Sequence, residues 1–113
     1  MNVSQLSPMP SEQLVFKLTS VKLLPTVAGC YVLTNFSGEI LYVGLTVNLL
    51  QRFKQHRDTS EKREPTILGR AHWFYFVTAD ETEINAIERG WQNQYSVVHG
   101  ALPVLNKIDS PVR

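Results

Sequence analysis

Residues 30–43, CYVLTNFSGEILYV, leave the chain little conformational choice, because two β-branched and aromatic runs flank a polar turn that ends in glycine. That pattern signals a hairpin and predicts strands over 30–34 and 39–43. With the turn at Asn35 to Gly38, Thr34 faces Glu39 and the antiparallel register sets Tyr31 opposite Tyr42. Directly opposed side chains share one face, with Cβ atoms about 5 Å apart. Two readings of the phenols stay open here. They are either a cross-strand aromatic pair that only stabilises the sheet, or two hydroxyls presented together for chemistry.

Beyond Gly44, the stretch NLLQRFKQH reads as a helix, with Asn48 and Gln51 at capping-box spacing and Leu49, Leu50 and Phe53 turned inward. Arg52 and His56 lie four apart and project from one side of it. The polar, Pro/Gly-punctuated DTSEKREPTILGR reads as a mobile connection. HWFYFVT is apolar on both alternating faces, so it reads as a central strand covered on both sides. Asp80 with Glu83 repeats the capping-box spacing and opens a helix whose stripe is Ile84, Ile87, Trp91 and Tyr95. Glu88 borders that stripe, and a partly desolvated carboxylate needs a cation or a hydrogen-bond partner. Gly90 costs this helix about 1 kcal/mol relative to alanine, which a closely approaching backbone would explain. LPVLNKI reads as a short extended segment. Ahead of the hairpin, residues 1–20 read as a loose tail and a short helix capped by Ser11 and carrying Leu14, Val15 and Leu18.

At 113 residues and 43% hydrophobic, the chain suffices for one domain with one core. A lone cysteine excludes an internal disulfide and a Cys-rich zinc site. No apolar run approaches the ~18 to 20 residues that span a bilayer, and MNVSQLSPMP lacks the features of a signal peptide. The expectation is a cytoplasmic protein in a reducing compartment. A formal charge of +1 weighs against a strongly electrostatic nucleic-acid binder. Its distribution reverses that weight: from Arg52 to Arg70 six basic residues (Arg52, Lys54, Arg57, Lys62, Arg63, Arg70) face three acids, a local net of +3. That suits modest phosphate affinity with a shallow salt dependence.

Gly29-Cys30-Tyr31, Tyr42-Val43-Gly44, Arg52, His56, Glu88 and the terminal Pro103-Val104-Leu105-Asn106 come in an order and spacing that resembles the GIY-YIG nuclease superfamily. Within it the chain is most similar to the N-terminal nuclease domains of the UvrC type. The resemblance covers about residues 23 to 108. It implies an α+β fold with a small three-stranded antiparallel sheet flanked by helices, a nuclease domain over 21–108 and a C-terminal tail at 109–113. It also implies metal-dependent endonuclease activity, with one Mg2+ or Mn2+ per site, on DNA or RNA, in a setting such as DNA repair. Glu88 would hold the metal, Tyr31 and Tyr42 would flank the attacking water, Arg52 would bind the scissile phosphate and Asn106 would brace the site. Gly44, Thr46, Arg52, Lys54, Arg57, Lys62, Arg63 and Arg70 are the expected nucleic-acid contacts. Leu45 stands where UvrC-like domains carry lysine, so one phosphate-side cation is missing or its role passes to Lys54 or Arg57.

This chemistry is sound on its own terms. Phosphodiester hydrolysis needs an activated water, neutralised phosphoryl oxygens and a stabilised leaving oxygen. Arginine binds phosphate in bidentate fashion and stays charged, so it serves as the clamp and not as the base. Tyrosine, with a pKa near 10, is a poor base unless its phenolate is stabilised. His56 is the rival to Tyr31 for that role. Taken singly, Glu88 is a surface carboxylate pairing with Arg89 or Lys107, and Arg52 a solvated charge. Their joint spacing favours an enzyme over a catalytically inactive nucleic-acid-binding module of the same fold. Substrate choice would come from substrate shape, a second copy of the chain or a targeting partner.

Overall fold

The computed structural model describes residues 1–106. Lys107 and the expected tail at 109–113 lie outside the described residues. The elements are β1 (Glu12–Val15), β2 (Gly29–Thr34), β3 (Ile40–Thr46), α1 (Leu49–Asp58), α2 (Ser60–Arg63), β4 (Trp73–Thr78) and α3 (Ile84–His99), with short 3-10 turns at Val3–Gln5 and Leu18–Leu23. The strands form one antiparallel sheet in the order β1-β4-β2-β3. The expected three-stranded sheet therefore has a fourth strand. It comes from residues 12–15, for which helical spacing predicts a helix, and which instead pair with β4 from Glu12↔Phe76 to Val15↔Trp73. Four residues are too short to form a stable helix alone, and the open edge of β4 supplies the hydrogen bonds.

The preceding tail is also packed. Val3 and Leu6 are buried, the Asn2 side chain accepts from Ser4 N–H, and Trp91 Nε1 donates to the Pro8 carbonyl at 2.8 Å.

The hairpin forms as expected, with its register displaced. Asn35 N–H bonds the Glu39 carbonyl at 3.0 Å, Gly38 takes φ 89°, and the Asn35 side chain accepts the Glu39 N–H at 2.8 Å. This glycine in the left-handed region closes a turn that other residues strain to make. The turn sets Thr34 opposite Ile40 instead of Glu39, and a bulge between Leu33 and Thr34 adds a second residue of shift, so that Tyr31 faces Gly44 and Leu33 faces Tyr42. The expected direct pair Tyr31↔Tyr42 becomes a diagonal neighbour on the same face. Two residues of displacement preserve facing, which is why the phenols still meet.

Two cores flank the sheet. On one face Tyr31, Leu33, Tyr42, Phe74 and Phe76 pack under α1 through Leu49 and Phe53. On the other, Cys30, Val32, Val43 and Leu45 pack under the α3 stripe of Ile84, Trp91 and Tyr95. The β4 strand is internal as expected, though only Phe74 and Phe76 are fully enclosed, while Trp73, Tyr75 and Val77 are half-buried.

Asn48 caps α1 by accepting the Gln51 N–H at 3.0 Å, and its own N–H goes to Thr46 Oγ1 rather than back to Gln51, so the capping box is half made. Asp80 accepts from the Thr82 N–H and hydroxyl in the turn before α3, and Glu83 makes no capping bond. The presumed mobile connection holds the short helix α2, and the last segment turns at Pro103–Asn106 instead of running extended.

Gly90 has no close neighbour after all: a Cβ there would meet only Gln94 Nε2, at 4.0 Å. Its helical backbone costs entropy without a packing return, so Gly90→Ala is expected to raise stability by about 1 kcal/mol. A denaturation midpoint that is unchanged or lower would contradict this.

Candidate active site

Three short-range devices assemble the site. The first is Gly44. A Cβ at this position would lie 2.5 Å from Cζ and Oη of Tyr31 and 2.8 Å from Cε1 of Tyr42. The missing side chain is the room in which the two rings lie, stacked with centroids 5.9 Å apart at 22°. The second is α1, whose capped start sets Arg52 and His56 over that face, both buried. Tyr31 Oη and His56 Nε2 share a 2.6 Å hydrogen bond. The His56 ring lies 5.4 Å from that of Tyr31 and 5.1 Å from that of Tyr42. The third is Asn106, whose Oδ1 accepts the Val43 N–H and whose Nδ2 donates to the Val43 carbonyl, both at 2.9 Å. Together with the bond from Leu105 N–H to the Leu41 carbonyl, it imitates a fifth strand and holds Tyr42-Val43-Gly44 at the sheet edge.

Glu88 stands half-buried on α3. Its negative charge bears on both Cys30 and Tyr31. Burial, more than any other cause, pushes the Tyr31 phenol well above 10. Tyr42 and Glu88 push in the same direction and the Arg52 guanidinium opposes them. The Tyr31 phenolate is therefore not the resting species. Burial and the Glu88 charge also raise the Cys30 thiol to about 12, although the Glu88 backbone N–H favours the thiolate; its Sγ donates to the Ile84 carbonyl at 3.2 Å. Arg52 Nε is buried without a hydrogen-bond partner among the described residues.

The expected nucleic-acid contacts divide into groups. Thr46 is buried, with its hydroxyl donating to the Asn48 carbonyl at 3.1 Å and accepting the Asn48 N–H, so it builds the turn into α1. Leu45 points into the opposite core with Cys30 and Trp91. Of the two residues considered for the missing cation, Lys54 is exposed and Arg57 lays its guanidinium over the Phe16 ring at 4.9 Å. Lys62, expected on a mobile surface connection, is instead 1% exposed, its Nζ 4.8 Å from the centroid of the Tyr42 ring. Arg57, Arg63 and Arg70 line a groove of about 560 Å³ beside α2 together with Lys17, and Glu64 is the acid among the lining residues. Lys17 was not legible as a functional residue, because only the pairing of β1 carries it to that groove.

A sheet and helices of this topology, with two stacked tyrosines, a buried arginine and histidine on one helix and a carboxylate on the next, define a nuclease class. Residues 27–99 match the GIY-YIG catalytic domain, and the chain belongs to the GIY-YIG family. It is similar to UvrABC system protein C of Gloeobacter violaceus, 37% identical over 70 residues, which cover 59% of this chain and 11% of that protein. It is likewise similar to that of Thermoanaerobacter sp., 36% identical over 70 residues covering 59% and 11%. With that of Clostridium beijerinckii it shares 34% identity over 80 residues covering 67% and 13%. The match thus spans about a ninth to an eighth of the length of these relatives. Among the described residues no helix is long and apolar enough to cross a membrane.

Because Tyr31 holds its proton more tightly folded than unfolded, where phenols titrate near 10, its contribution to stability is complete below about pH 10 and is lost as pH rises toward the folded value. The urea midpoint should therefore fall between about pH 9 and about pH 11. In Tyr31→Phe that fall should be shallower, and an identical slope in both chains would refute the assignment.

Proposed function

We propose that this domain is a divalent-metal-dependent endonuclease that hydrolyses DNA phosphodiesters with low intrinsic sequence specificity. The observation that carries the reading is the convergence of Tyr31, Tyr42, Arg52 and His56 in one buried cluster, with the Glu88 charge acting on Tyr31. A sheet needs no arginine or histidine under its covering helix, and burying them is costly unless they serve a ligand or each other.

The donor set suits one hydrated ion. Among the described residues there is no group of three or more His, Cys, Asp or Glu side chains, which argues against a zinc cage. A single carboxylate fits magnesium or manganese, which keep most positions for water and substrate oxygens. Glu88 would hold the ion, whose chemistry is to neutralise phosphoryl charge and acidify a bound water. Arg52, with an unpartnered buried Nε, clamps the phosphate. Tyr31 keeps its proton at working pH and so orients the nucleophile. His56, 2.6 Å away, takes the proton directly or through Tyr31, so the rivals for the base act as one coupled pair. Asn106 braces Val43 through both of its amide atoms.

The groove beside α2 binds flanking backbone phosphates through Lys17, Arg57, Arg63 and Arg70. With so few charges, the grip is modest and non-specific, and targeting falls to substrate shape, a second copy or a partner.

Purified protein with magnesium or manganese should nick plasmid DNA, and a panel of linear, nicked, flapped and branched DNAs with RNA should rank its substrates. Glu88→Ala should lower the rate by at least about 100-fold while preserving the fold and most DNA binding. A wild type that binds DNA but cuts nothing in the panel would favour the inactive binding module. In a separate binding measurement, Arg63→Ala with Arg70→Ala should weaken DNA affinity uniformly across sequences and lower the salt slope by about 2. An unaltered slope would remove the groove from the binding surface.

A further inference from the structure

Phe36 sits in the turn between β2 and β3 and is 66% exposed, although a large apolar ring gains nothing from contact with water. Its position is nevertheless fixed. The ring stacks on that of His72, with centroids 4.9 Å apart at 21°, and the Phe36 carbonyl accepts the Trp73 indole N–H at 3.1 Å. Trp73 in turn meets His72 edge to face at 4.6 Å and 74°. The His72 N–H donates to the Thr34 carbonyl and the Asn35 side chain to the Leu68 carbonyl, both at 2.7 Å, which ties the turn to the approach to β4. Three rings therefore form a small rigid stack whose outer layer, Phe36, is open to solvent.

This stack adjoins a row of cations. Phe36, Leu68, Arg70 and His72 line a groove of about 410 Å³, and Arg70 and Ala71 line both this groove and the basic one beside α2. The basic groove is reached from α1 through Arg57, the residue that follows His56. Among the described residues no acid lies at ion-pair distance from Lys17, Arg57, Arg63 or Arg70, so these charges are not neutralised by neighbours. A positively charged groove leading to an exposed aromatic face is the combination that holds a single strand of nucleic acid: the phosphates follow the charges, and a base lays its flat face on the ring. A base within a duplex cannot do so, because both of its faces are already covered by neighbouring pairs.

We propose that Phe36, backed by His72, is a stacking platform for an unpaired nucleobase, reached by a single-stranded DNA segment that runs past Arg70. This rests on the nucleic-acid part of the nuclease reading above and sharpens its substrate class. The preferred DNA carries an unpaired flank, such as a flap, beside the duplex.

Binding is measured in EDTA, where nothing is cut, by fluorescence anisotropy with three probes: a single-stranded oligothymidine, the same strand with abasic sugars, and a duplex of equal length. The first two carry the same phosphates and differ only in bases, so the wild type should bind the oligothymidine at least about fivefold more tightly than the abasic strand. Phe36→Ala should abolish that ratio while leaving abasic-strand and duplex affinities within about twofold and the salt slope unaltered. Phe36→Trp, which keeps a flat aromatic face, should restore it. The substitutions leave the backbone carbonyl that holds Trp73, and an unchanged circular dichroism spectrum checks the fold. Equal affinity of the wild type for base-bearing and abasic strands, or oligothymidine binding by Phe36→Ala equal to that of wild type, overturns the proposal and leaves Phe36 as a cover for His72 or a contact for a protein. Cleavage with magnesium then separates the two readings. A cutting wild type should have a higher kcat/KM on flapped DNA than on linear duplex, and Phe36→Ala should lose that preference. A wild type that discriminates bases in EDTA but cuts nothing refutes the nuclease reading and leaves the platform standing. One that cuts flapped and linear DNA alike, with Phe36→Ala indistinguishable from it, refutes the platform and leaves the nuclease reading standing.

Discussion

The Tyr31 ring occupies the space that a side chain at position 44 would fill, and the rest of the site is arranged around that substitution of one residue's ring for another's Cβ. With 2.5 Å between the phenol and the site of a Cβ, no residue larger than glycine fits without displacing the tyrosine. The ring is then confined between Tyr42 on one side and Phe74, stacked at 5.1 Å and 12°, on the other. A side chain wedged this tightly presents its hydroxyl in one direction. His56 meets it there at 2.6 Å. The orientation of the phenol is thus set by packing before any ligand arrives.

The division of labour between the two faces of the sheet follows from strand alternation. Odd-numbered Tyr31 and Leu33 on β2 point toward α1, while Cys30 and Val32 point toward α3. One face carries the aromatic cluster with its polar groups, and the other is a largely apolar core that anchors α3 and so fixes the backbone from which Glu88 extends. The Glu88 charge bears on Tyr31 although its helix covers the other face. The α3 carboxylate and the two phenols are thus held by two separately packed layers, so a change in the α3 core, at Trp91 or Leu45, can move Glu88 relative to the rings without touching either.

The charges of the basic segment sort by burial into separate tasks. Arg52 and Lys62 are enclosed, where a low local dielectric strengthens whatever electrostatic contacts they make. Arg63, Arg70 and Lys17 are exposed along the neighbouring groove, where water and salt weaken each contact. A net charge of only +1 thus hides a local concentration of basic side chains, two of them enclosed and the others solvated.

Much of this was legible in the residues alone. The hairpin, the α1 cap, the α3 stripe and the co-occurrence of Tyr31, Tyr42, Arg52, His56 and Glu88 all depend on local periodicity and spacing, which the chain determines by itself. Three things did not follow from it. The register depended on a turn that pairs Thr34 with Ile40 and on a bulge at Leu33/Thr34, local irregularities with no marker in the residue types. The fold of residues 12–15 depended on an edge of β4 some sixty positions away, because a short segment takes its hydrogen bonds where tertiary structure offers them. The position of Lys62 depended on how α2 packs, and from the sequence a lysine in a polar run can only be assigned to the surface. Sequence spacing singled out the candidate residues; tertiary packing decided which of them are buried together, since burial is a property of the elements that close over a side chain and not of the side chain.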